Sequence, residues 1–132
     1  MNMKGVAILL LIFFAFASEA TARPTHRFDY TTQTCRSFAD GQLEWDSRPW
    51  GEGGKVFREV CKQCHFRGNT VGAKFLYAES KTAKGWNNLF AKKHVQCAQN
   101  GAWKNITPDQ ELKLNDYLYR FASDSQDVWD SV

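Results

Sequence analysis

The chain is poor in methionine: among 132 residues it has two, Met1 and Met3. Both lie at the extreme N-terminus, so a chain that had lost its first residues would hold no thioether to offer a metal. Proline is scarce too. Pro24, Pro49 and Pro108 are the only three, which excludes a collagen-like or proline-rich character. Four cysteines are too few for a disulfide-dense scaffold. The formal net charge of +3 comes without a basic run or stripe, which argues against a nucleic-acid partner. No internal repeat is present, and no alternating strand pattern stands out. The length suits one ordinary domain, or a small domain with extensions.

One apolar run exists, and it sits at the start. Lys4 precedes Val6–Ala17, and Ala20-Thr21-Ala22 follows as a small-x-small cleavage site. Residues 1–22 therefore read as a signal peptide, too short in its apolar part to span a bilayer. The expectation is a soluble exported chain beginning at Arg23, periplasmic or otherwise outside the cytoplasm, with no membrane span. Its cysteines would face an oxidising compartment. At the other end, residues 122–132 carry Asp124, Asp127 and Asp130 and no base. They read as a fraying acidic tail on a more basic body.

Residues 23–50 mix Pro24, Pro49 and Gly41 with scattered aromatics, and read as an irregular extension. Trp50-Gly51-Glu52-Gly53-Gly54 looks like a flexible entry. A helix is expected from near Gly54, with Val56, Phe57 and Val60 on one face, running into Cys61. A second is expected over about Lys81–Val95, where Trp86, Phe90, His94 and Cys97 follow at spacings of 4, 4 and 3. The third is the best marked. Thr107 is a strong N-cap, Pro108 suits the first helical position, and Gln110 completes a capping box. Leu114, Tyr117, Leu118 and Phe121 supply its apolar stripe.

Cys61-Lys62-Gln63-Cys64-His65 carries the chemistry. C-x-x-C-H is the attachment sequence for c-type haem: two thiols one turn apart reach the two vinyl groups of one porphyrin, and the next imidazole turns to the iron. With Phe57 four residues upstream and the capped final helix, residues 51–121 resemble the small class I cytochromes c. That resemblance implies an all-α domain wrapped around one haem c, with thioethers at Cys61 and Cys64 and His65 as the proximal iron ligand. It also implies one-electron transfer rather than catalysis, so no catalytic residues are expected. A covalently held porphyrin would add apolar bulk to a core that 71 residues make marginal.

Two departures from the family matter. Its usual distal methionine is missing, and no proline follows the motif to orient the proximal imidazole. His94 is the expected replacement ligand, with Cys97 as rival; His26, a lysine or an open sixth site are further options. Cys35 and Cys97 would otherwise form a disulfide pinning the extension to the distal loop. Trp86, Phe90, Tyr117 and Trp103 are expected to line the pocket. Lys55, Lys62 and Lys74 are expected to dock an acidic redox partner, the protein acting as a monomer or within a redox complex. Two alternatives use the same residues differently. One is a haem sensor or small haem enzyme with an open sixth site. The other is a zinc-stabilised interaction domain built on Cys61, Cys64, His94 and Cys97.

Overall fold

A computed structural model describes residues 23–125. Residues 1–22, the expected signal peptide with Met1 and Met3, and Asp127 and Asp130 lie outside the described residues. In chain order the elements are β1 (His26–Asp29), β2 (Thr34–Ser37), α1 (Gly41–Asp46), α2 (Glu52–Glu59), α3 (Ala83–Lys92), α4 (Gln96–Gln99) and α5 (Pro108–Arg120). Single tight turns follow at Cys61–Gln63 and Ala78–Ser80. Among the described residues no helix is long and apolar enough to cross a membrane.

The three expected helices form, for the reasons their sequences give. In α5 the Thr107 hydroxyl accepts from the Gln110 amide at 3.1 Å, and the Gln110 side chain accepts from the Thr107 amide at 3.1 Å. This reciprocal pair satisfies two donors that the helix start leaves open. The α2 helix crosses α5 at glycine. A Cβ on Gly53 would stand 2.2 Å from the Lys113 carbonyl oxygen, and one on Gly54 would stand 2.0 Å from that of Pro49. These glycines are buried contact points, not the flexible entry their composition suggested. Across the crossing, Val56, Phe57, Leu114, Leu118 and Phe121 form the core with Trp86 and Phe90 of α3.

The all-α expectation fails. β1 and β2 form an antiparallel hairpin, with Arg27 opposite Arg36 and Phe28 opposite Cys35, and the domain is a mixed one of helices plus a two-stranded sheet. The extension is thus ordered rather than irregular. Its alternation is inverted: Arg27 and Asp29 are buried, while Phe28 and Tyr30 are exposed. A search for apolar residues on the inner face therefore passes over it.

Buried charge is what holds the hairpin. The carboxylate of Asp116 on α5 accepts from Arg27 Nε at 2.9 Å and Nη2 at 2.6 Å. It also accepts from Arg36 Nε at 2.8 Å and Nη2 at 2.7 Å. Arg27 Nη1 reaches Asp29 at 2.7 Å and Asn87 of α3 at 2.8 Å. Further along α5, buried Arg120 donates to the Glu44 carbonyl at 2.9 Å and the Ser47 hydroxyl at 2.8 Å, fastening α1. The start of the acidic tail is docked too, against expectation. Ala122 is in the core, and the Asp124 carboxylate accepts the Ala83 amide at 2.7 Å, helping to cap α3.

Candidate functional site

The Cys61–His65 turn follows directly on Val60, which caps the end of α2, and closes on itself. The Val60 amide donates to the Val56 carbonyl at 2.9 Å and the His65 amide to the Cys61 carbonyl at 2.9 Å. This turn forms one wall of a cavity of about 660 Å3. Phe57 and Val60 extend that wall, Leu76 and Lys74 stand beside it, and Leu118 of α5 contributes from below. Trp86, Leu89 and Phe90 of α3 supply a second wall, and Val95, Gln96, Cys97, Asn100 and Trp103 a third. Phe90 and Trp103 stack at 5.2 Å between ring centroids. The volume lies within the roughly 300–1,000 Å3 of pockets that hold cofactors and drug-sized ligands. The lining is mostly apolar, and the Cys61 and Cys64 thiols and the His65 imidazole belong to it.

The His65 ring is oriented by one backbone carbonyl. Its Nδ1 lies 2.6 Å from the Lys74 carbonyl oxygen. A carbonyl can only accept, so Nδ1 carries a proton, and in the neutral imidazole Nε2 keeps its lone pair. This carbonyl lies nine residues downstream of His65. Cys64 is exposed, whereas Cys61 sits deeper, and burial pushes its thiol up to about 12, with the nearby Cys97 adding to the shift. Cys61 is therefore a protonated thiol at neutral pH.

The structure divides the other expected site residues. Trp86, Phe90 and Trp103 line the cavity as expected. Tyr117 does not; it packs in the core between Phe57, at 5.7 Å, and Phe121, at 5.5 Å. Cys97 lines the cavity, whereas His94 is exposed and outside its walls. The cause is where α3 stops. Lys93 adopts the left-handed conformation at φ 50° and caps the helix, so the 4, 4, 3 spacing that aligned His94 with Trp86 and Phe90 does not continue. Lys93 is anchored there by Glu111 at 2.8 Å. His26 is likewise exposed, on the hairpin.

The Cys35–Cys97 disulfide is absent. Both are free thiols; Cys35 is exposed on β2, and the sulfur near Cys97 is that of Cys61. Nor does the zinc set assemble: among the described residues no three His, Cys, Asp or Glu side chains gather to hold a metal ion. Lys62 also departs from expectation. Its ammonium is turned onto the aromatic rings of Phe57, Phe75 and Tyr77 rather than outward.

Sequence reasoning missed Leu76, Leu89 and Val95 as wall residues, and above all the Lys74 carbonyl. A backbone carbonyl leaves no trace in residue identity, so no sequence signal could have found it. Comparison with protein-family models, curated proteins and solved structures returned no match.

Proposed function

We propose that the chain is an exported monohaem c-type cytochrome that carries single electrons between redox partners. The observation that carries this reading is the Cys61-x-x-Cys64-His65 turn forming one wall of an apolar cavity, with His65 Nδ1 already committed to a carbonyl. Haem c, when bound, would supply a one-electron iron couple. Cys61 and Cys64 would hold it through thioethers. His65 would present Nε2 as the proximal ligand, its orientation and basicity set by the Lys74 carbonyl. Phe57, Leu76, Leu89, Phe90 and Trp103 would exclude water and so tune the potential. Lys74 and Lys81 belong to the cavity lining and are both exposed; with exposed Lys55 they offer positive charge to an acidic partner.

Covalent haem is tested by the pyridine haemochrome spectrum of the purified exported chain, with Cys61→Ser and Cys64→Ser each removing one thioether. A wild type without haem would overturn the proposal.

Exposure of His94 favours a second reading, in which the sixth position is open or exchangeable and the protein senses or transforms a small ligand. Cys97 is then the side chain nearest to hand as an alternative ligand. Carbon monoxide added to the reduced protein separates the two: rapid binding supports the open site, and none supports a closed carrier. In the closed case Cys97→Ala should alter the low-spin spectrum and His94→Ala should not. The reverse result would mean that Lys93–Gln96 rearranges when haem is attached.

A further inference from the structure

The segment that orients His65 is packed on the core at Leu76 and leads into buried Ala78. Between His65 and Lys74 the chain is exposed except at Asn69 and Ala73, and it turns at Gly68 and Gly72, both with positive φ. Asn69 shapes this loop internally, donating to the Ala73 carbonyl at 2.6 Å and accepting from the Ala73 amide at 3.1 Å. Beyond that local pattern, Arg67 ties the loop to the following residues through the Tyr77 hydroxyl and the Phe75 ring. The strap that follows, Lys74–Tyr77, is fixed by polar contacts to the attachment turn itself. The Leu76 amide donates to the His65 carbonyl at 3.3 Å, and the Leu76 carbonyl accepts from Lys62 Nζ.

Lys62 stands between the two thioether cysteines in sequence. Its Nζ lies 3.8 Å from the Phe75 ring centroid, 5.0 Å from that of Tyr77 and 5.5 Å from that of Phe57. Phe75 and Tyr77 meet edge to face at 4.4 Å, and Arg67 braces them, donating to the Tyr77 hydroxyl at 3.0 Å. Phe57 belongs to α2, whereas Phe75 and Tyr77 flank Leu76 on the strap. The ammonium thus joins helix and strap through ring faces that attract a cation.

We propose that Lys62 is a positioning residue: its caged ammonium fastens the Lys74–Tyr77 strap to the attachment turn, and so holds the Lys74 carbonyl against His65 Nδ1. The clamp itself is a property of this chain; its redox consequence rests on the haem reading. An Nδ1–H bonded to a carbonyl makes the imidazole a more basic ligand, which favours ferric iron. Loosening the strap should therefore raise the midpoint potential. Removing a nearby positive charge without moving the strap would lower it, since the oxidised centre carries the extra positive charge. The two roles have opposite signs.

The test uses the full exported chain in wild-type, Lys62→Met, Lys62→Arg and Phe75→Leu forms. Met keeps the stem and removes the charge, Arg keeps a cation and donors, and Phe75→Leu opens the cage with every charge in place. Hydrogen exchange at the Leu76 amide should quicken by roughly tenfold or more in Lys62→Met and Phe75→Leu, as expected for a local opening made easier. Lys62→Arg should return it toward wild type. In haem-loaded protein the potential should rise in Phe75→Leu, where every charge is kept, and should lie lower in Lys62→Met than in Phe75→Leu, because the lost charge opposes the loosening. Unchanged Leu76 exchange in both would overturn the clamp, as would a lowered potential in Lys62→Met with none in Phe75→Leu. A wild type lacking haem would overturn the proposed function alone, and the Leu76 exchange would still decide the clamp.

Discussion

The last helix has two faces that solve opposite problems. One carries Leu114, Leu118 and Phe121 into the apolar core and, through Leu118, onto the cavity. The other carries Asn115, Asp116 and Arg120, all buried, into the hairpin and α1. The apolar face is held by area, at roughly 1.5–3 kcal/mol for each fully buried large side chain, and tolerates a void beside it. The charged face is held by direction. Asp116 is itself fully buried and is compensated by Arg27 and Arg36 together, so the carboxylate is tolerated only where both guanidinium groups reach it. The first arrangement leaves room for a cofactor, and the second fixes one pose of the extension.

Breaking the charged face should have the largest effect. Asp116→Ala removes the carboxylate that Arg27 and Arg36 share, leaving Arg27 with Asp29 as its remaining carboxylate, and should cost about 3–5 kcal/mol, the range for removing one partner of a buried ion pair; urea denaturation measures it. A loss below about 1 kcal/mol, the range of an exposed pair, would show that the clasp is solvated. On the apolar side, Gly53→Ala drives a Cβ into the Lys113 carbonyl at the helix crossing. Overpacking of that kind typically costs about 1–3 kcal/mol. It should also weaken haem attachment, since α2 leads into the attachment turn, whereas Asp116→Ala should disturb the hairpin first.

Acid should separate the two faces in the same way. Burial opposes ionisation of Asp29, but Arg27 and the Thr32 amide and hydroxyl outweigh it and hold the carboxyl below its usual value. Glu44 is lowered chiefly by Arg48, against some burial and with help from Arg120. A carboxyl depressed in the folded state contributes its full stability above its unfolded pKa, about 3.9–4.3 for these residues. That contribution is lost as pH falls through the depressed folded value. Melting temperature should therefore drop below about pH 4, within that carboxylate range, and Asp29→Asn should flatten part of the drop. An equal drop in Asp29→Asn would place the acid response elsewhere.

Two smaller effects sharpen the contrast. Thr107→Ala removes one half of the capping box and should cost about 1 kcal/mol, read by thermal melting. In chain lacking haem, alkylation at neutral pH should mark exposed Cys35 and Cys64 and largely spare Cys61, whose thiol is raised to about 12 by burial. Equal labelling of Cys61 and Cys64 would show that the cavity wall opens freely.

Much of the cavity side was legible before the fold. The Cys61–His65 turn, the α5 cap and the Trp86 and Phe90 positions depend on residues a few places apart, and short-range geometry reads directly from spacing. His94 shows where that method stops. Its alignment assumed a continuous helix, and a left-handed Lys93, tied to Glu111 on another element, ended it. The hairpin was illegible for a different reason. Its inward residues are Arg27 and Asp29, which only a carboxylate 89 positions from Arg27 makes tolerable inside.

By itself, the sequence determined the Cys61–His65 motif, the absence of methionine after Met3 and the start of the last helix. Each follows from which groups are present within one or two turns of chain. Only the tertiary structure decided that the extension forms strands, that Cys97 rather than His94 faces the cavity, and that a carbonyl at Lys74 orients His65. Those outcomes depend on groups far apart in the chain, and on a backbone atom that every residue possesses. Burial, not residue identity, selects among them.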